Sequence, residues 1–135
     1  MNHFILLGII YFAFISLGLP DSVLGVAWPT MRATLLQPIE AAGLITLVLT
    51  ICSAISSFAS GGVLKRLGTG PVVMISGLLT GLALLGFSLG PSFGVLLLLA
   101  IPLGLGAGSV DAGLNHFVAQ HYSSRHMNWL HGCWG

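Results

Sequence analysis

The sequence predicts an all-α membrane protein: about four transmembrane helices of an N-terminal bundle, plus the start of a fifth. Three observations predict it. Only 5% of the 135 residues are charged while 56% are hydrophobic, and the mean hydropathy is +1.02. A water-facing domain carries about 25% charged residues, so the exterior here must be lipid. The charges are also unevenly spread, for positions 41–64 and 67–110 hold none. A helix needs roughly 20 apolar residues to cross the hydrocarbon core. The second stretch therefore holds two crossings, and Gly90-Pro91-Ser92 is the break between them.

Taken in order, the apolar segments place the first span at 4–27, the second at 40–60, the third at 71–90 and the fourth at 93–119. The start, Met1-Asn2-His3-Phe4, lacks the positive charge and the small-residue cleavage site of a signal peptide, so the first helix is expected to stay in the protein. A fifth apolar segment begins at Asn128-Trp129 and runs over 128–135, too short to cross. The expectation is a partial N-terminal bundle over 1–135. Lys65, Arg66 and Arg125 fall on one side of such a bundle and Arg32 on the other. By the positive-inside rule the N-terminus is cytoplasmic, in a plasma (inner) membrane.

Small residues recur at packing intervals. The third span has Gly77 and Gly81, then Gly86 and Gly90; the second sets Thr46, Thr50, Ser53, Ser57 and Ser60 on one stripe. Small residues let helix backbones approach, and hydroxyls bond across helices. Packing is the expected use of both.

Several classes of function are excluded. No basic run suggests a nucleic-acid partner. Cys52 and Cys133 fit neither a disulfide framework nor a metal site. His121, His126 and His131 recur every five residues, which scatters them around a helix. No nucleophile–base pair, cofactor motif or metal-ligand spacing is present, so an enzyme is not expected.

Two carboxylates stand inside apolar spans: Asp21 after Gly18-Leu19-Pro20, and Asp111 after Gly108-Ser109-Val110. An Asp at the centre of a membrane helix costs about 2.5–3.5 kcal/mol on insertion scales, and such residues mark proton and substrate pathways. For Asp21 the plainer alternative is a cap on a helix broken at Pro20. Asp111 has more company. Gly104, Gly108, Asp111 and Asn115 step by four, three and four onto one helical face, which predicts open backbone below a carboxylate and an amide. Phe14, Gly18, Asp21 and Gly25 repeat the spacing in the first span. Phe14 could stack on a sugar ring, or simply pack in the core. The two acids sit at matching depths in oppositely directed helices, as an inverted three-helix repeat would place them.

Gly61-Gly62-Val63-Leu64-Lys65-Arg66-Leu67-Gly68 resembles the signature loop between the second and third helices of the major facilitator superfamily. Gly61, Arg66 and Gly68 match the pattern. Lys65 stands where the family has the acid that latches its closed cytoplasmic gate, and Thr69 and Gly70 replace later bases. Asp21-Ser22-Val23-Leu24, and Gly104-Leu105-Gly106 through Asp111, Asn115, His116 and Phe117, resemble the fucose–galactose–glucose:proton symporter branch, where Glu is the commoner acid in the fourth helix. The stretch from His121 to Gly135 is similar to the approach to the fifth helix in bacterial members.

This resemblance implies proton coupling at Asp21, substrate recognition by Asp111 and a cytoplasmic gate loop of Gly61, Lys65, Arg66 and Gly68; Asn115 and Phe14 join the expected substrate site from their spacing alone. The partners it implies are a small polar solute, a proton, membrane lipid and the missing C-terminal half of the transporter. A compact four-helix dimeric exporter, with Asp21 as its essential membrane carboxylate, is the alternative; a non-transporting membrane subunit is a third.

Overall fold

The computed structural model describes residues 3–134, and it is a bundle of five helices. Helix α1 spans His3–Thr34, α2 Ala41–Leu67, α3 Thr69–Leu89, α4 Phe93–His121 and α5 Ser124–Trp134. The first four are long and apolar enough to cross a membrane, as expected of an all-α membrane bundle. Gly135 lies outside the described residues, and so does the side chain of Cys133.

Two helices run further than their hydropathy suggests. Helix α1 passes 27 and continues to Thr34, carrying Pro20 and Pro29 within it. A helical proline removes one N–H and clashes with the carbonyl four residues back, yet α1 is not broken at Pro20. Asp21 therefore does not cap a helix there. Helix α2 extends seven residues past 60, with Lys65 and Arg66 in its last turn. There the cations complement the partial negative charge of the helix end. The gate-loop segment is thus mostly helix, and the connection shrinks to Gly68. Gly68 takes φ 79° and ψ 166°, a region open essentially to glycine alone.

Helix α4 is the hub, touching α1, α2, α3 and α5. Glycines explain the approach of α2 and α3. A Cβ on Gly104 would run into the Leu49 carbonyl, and one on Gly108 into the Ser53 carbonyl, both on α2. On the other flank, a Cβ on Gly106 would stand 2.6 Å from Thr80 Oγ1 and 2.8 Å from the Ser76 carbonyl of α3. Hydroxyls then bind the close pair together: Ser57 Oγ donates to the Gly108 carbonyl at 3.1 Å, and Ser56 Oγ donates to the Leu105 carbonyl at 2.6 Å. Gly86 of α3 and Gly90 just past its end accept Leu99 and Leu96 of α4, whereas Gly77 and Gly81 have nothing within 4 Å of an added Cβ. Only the second half of the predicted α3 glycine series packs within this bundle.

Side chains, not glycines, join α1 to the rest. Ile10, Phe14 and Leu17 bury against Val110, Leu114 and Val118 of α4 and Leu130 of α5. At the other end Trp28 packs with Ile45, Leu96 and Ala100, and its Nε1–H donates to the Ile39 carbonyl at 2.9 Å. The first residues of α1 thus meet the last of α4, so the two helices run antiparallel. The outer surface stays apolar: Leu78, Leu82, Leu85 and Leu89 form an exposed stripe on α3, where lipid can cover it.

Candidate solute site

A cavity of about 470 Å³ lies between α1, α2, α4 and α5. Asp21 from α1, Asp111 from α4 and His131 from α5 line it, and Thr50, Ser53 and Ser57 of α2 add a hydroxyl wall. The apolar remainder comes from Leu17, Pro20, Leu49, Ala54, Leu103 and Ala107.

The acids are held differently. Asp111 is half-buried, and Asn115 one turn on donates Nδ2–H to its Oδ1 at 3.0 Å. Asn115 Oδ1 is buried with no hydrogen-bond partner. The amide thus fixes one carboxylate oxygen, and Oδ2 accepts no bond within the described residues. Asp21 is exposed on the bundle surface where the cavity opens, and it makes no hydrogen bond or ion pair among the described residues. Pro20, buried beside it, withholds an N–H from the Ser16 carbonyl. No group of three His, Cys, Asp or Glu among the described residues could hold a metal ion.

Of the residues singled out from the sequence, the cavity brings Asp21 and Asp111 together. Asn115 does not line the cavity but bonds to Asp111 from one turn on. Phe14 is 0% exposed and belongs to the core. Its ring meets His131 edge-on, 6.0 Å between centroids, so it touches a cavity residue without lining the cavity. The face of Gly104 and Gly108, expected to be open, is closed by α2 because both positions lack the Cβ that would hold that helix away. Lys65 and Arg66 are exposed at the far end of α2, remote from the acids.

Two contributions lie outside the site residues expected from the sequence. The hydroxyl stripe of α2 does more than pack: Thr50 and Ser53 face the cavity, and Ser57 both lines it and bonds to α4. The regular four–three spacing was visible, but not which neighbour it faces. His131 reaches the cavity because α5 packs on α1 and α4, and no local signal separated it from His121 and His126.

Four membrane-length helices, three of which share a cavity that pairs two acids with a row of hydroxyls, make a polytopic membrane protein with a polar-lined cavity. The sequence model of the Major Facilitator Superfamily matches residues 10–133, nearly the whole chain. The chain belongs to that superfamily, whose members are membrane transporters and not enzymes. No curated protein and no solved structure matches it.

Proposed function

We propose that the chain provides the N-terminal half-site of a proton-coupled transporter for a sugar or similar small polar solute. The observation that carries this reading is the single cavity shared by Asp21 and Asp111. Their surroundings suit different tasks. Asp111, oriented by Asn115, presents a fixed acceptor to a polyhydroxylated ligand, and charge-assisted hydrogen bonds of that kind are strong and directional. Asp21 has no hydrogen-bond partner among the described residues, and an unpaired acid within a membrane helix marks a proton pathway. Thr50, Ser53 and Ser57 add donors and acceptors without charge. The resemblance to the fucose permease branch supports the same division of labour.

In alternating access, two bundles rock about a site near the bilayer midplane. We assign this chain to the first bundle, with the N-terminus cytoplasmic, and the facing wall to a C-terminal bundle. The deciding experiment pairs equilibrium binding of a radiolabelled hexose panel with proton-driven uptake by the two-bundle transporter. Asp21→Asn is expected to abolish uphill uptake while binding persists, and Asp111→Asn to weaken binding about tenfold or more. Wild-type uptake in both variants would refute the reading. The 135-residue chain alone, reconstituted in liposomes, is expected to show no proton-driven hexose uptake. Uptake there would favour the dimeric exporter.

A further inference from the structure

A second cavity, of about 710 Å³, opens at the end of the bundle where α2 stops and α3 starts. Lys65 from the last turn of α2 lines it, with His116, Gln120 and His121 from the end of α4. No acidic side chain does. The chain has only three Asp and Glu; two belong to the solute cavity, and Glu40 precedes α2 at the opposite end. The His121 ring stacks on Phe117 with centroids 4.3 Å apart, and its Nδ1 meets the Phe117 carbonyl at 2.9 Å. A carbonyl can only accept, so Nδ1–H is the donor and Nε2 is left as an acceptor for a ligand hydroxyl. Phe58 stands on the same wall, 91% exposed. Seven residues of helix separate it from Lys65, about 10 Å of rise toward the membrane interior.

The cavity is therefore cationic at its mouth and aromatic further in. A free anion needs only the first property, while an amphiphile uses both. Basic pockets between transmembrane helices at one membrane face bind anionic lipid headgroups. We propose that this cavity binds an anionic phospholipid, with Lys65 and His116 on the headgroup phosphate, His121 Nε2 accepting from a headgroup hydroxyl, Gln120 donating to the headgroup and Phe58 against an acyl chain. The site shares only Ser57 with the solute cavity, and it does not depend on the function proposed above.

Native mass spectrometry of the full chain, released from detergent micelles, tests this. The probes are phosphatidylglycerol, zwitterionic phosphatidylcholine and inorganic phosphate. A single phosphatidylglycerol adduct is expected, favoured over phosphatidylcholine about five-fold, the value of one cation near a headgroup. Lys65→Gln should remove most of that preference, the pair His116→Gln with His121→Gln should lower retention of phosphatidylglycerol, and Phe58→Ala should lower retention of both lipids. Arg66→Gln should leave the preference unchanged, because Arg66 is exposed on the same turn but outside the cavity. Circular dichroism identifies any variant that has lost helix, and the remaining variants decide. Equal retention of the two lipids would overturn the proposal. So would an effect of Arg66→Gln as large as that of Lys65→Gln, which would mean diffuse attraction and no pocket. Displacement of the lipid by inorganic phosphate at the lipid's own concentration would assign the site to a free anion instead.

Discussion

At the scale of single residues, the two acids were legible because their cost is intrinsic. A carboxylate in an apolar span is expensive wherever the helix packs, so Asp21 and Asp111 mark themselves without a neighbour. Phe14 and His131 are the opposite case. An aromatic ring or an imidazole is tolerated in a core and in a cavity alike, and only the packing of α5 against α1 decides which it meets. Glycines divide in the same way. Gly108 and Gly77 look equivalent in sequence, but a Cβ meets the Ser53 carbonyl at one and open space at the other. Gly108→Val should force α2 and α4 apart and destabilise the bundle by about 1–3 kcal/mol, the usual cost of overpacking. Gly77→Ala should be neutral or stabilising, by up to about 1 kcal/mol from helix propensity. Thermal unfolding in detergent, followed by helical circular dichroism, compares them; an equal loss in both would mean that the α2–α4 approach does not depend on Gly108.

Among the elements, hydropathy located all four long helices but shortened two of them. It measures transfer into lipid, and it falls wherever charge appears, whether or not the backbone stops being helical. Lys65 and Arg66 ended the apolar run of α2 although both are helical, and Pro29 and Arg32 did the same for α1. The true end of α2 is set by Gly68, whose φ of 79° turns the chain into α3 within one residue. Valine there would have to adopt a conformation nearly reserved for glycine, at about 1–3 kcal/mol. Gly68→Val is expected to lower the melting temperature, and a shorter α2 should appear as faster amide exchange at Leu64 through Leu67. Unchanged exchange would place the strain elsewhere.

For the whole molecule, the charge distribution follows the antiparallel order of the helices. Lys65, Arg66 and Arg125 sit at the end where α2 finishes and α5 begins, and Arg32 at the other. The proposed orientation, with a cytoplasmic N-terminus, rests on this bias through the positive-inside rule. With Cys52 and Cys133 replaced by serine, a cysteine at Thr69 should resist a membrane-impermeant thiol reagent applied to intact cells, while Arg32→Cys should react. The reverse pattern would invert the topology. This scale was the least legible beforehand, since side-by-side placement of α1, α2, α4 and α5 around one cavity arises from contacts between residues far apart in sequence.

The glycines of α4 also decide which parts can move. With Gly104 and Gly108 seated on α2 and Gly106 on α3, rotating or sliding α4 would drive its backbone into a neighbouring carbonyl on one flank or the other. The close approach at these glycines ties the three helices together, so that they form a chassis. Helix α1 rests on that chassis through Ile10, Phe14 and Leu17 and, at its other end, through Trp28, and α5 through Leu130, side chains that can change rotamer. Asp111 and the hydroxyls of α2 are mounted on the fixed part, and Asp21 and His131 on the adjustable part. The distance between the two carboxylates is therefore the internal coordinate that this architecture leaves free to vary.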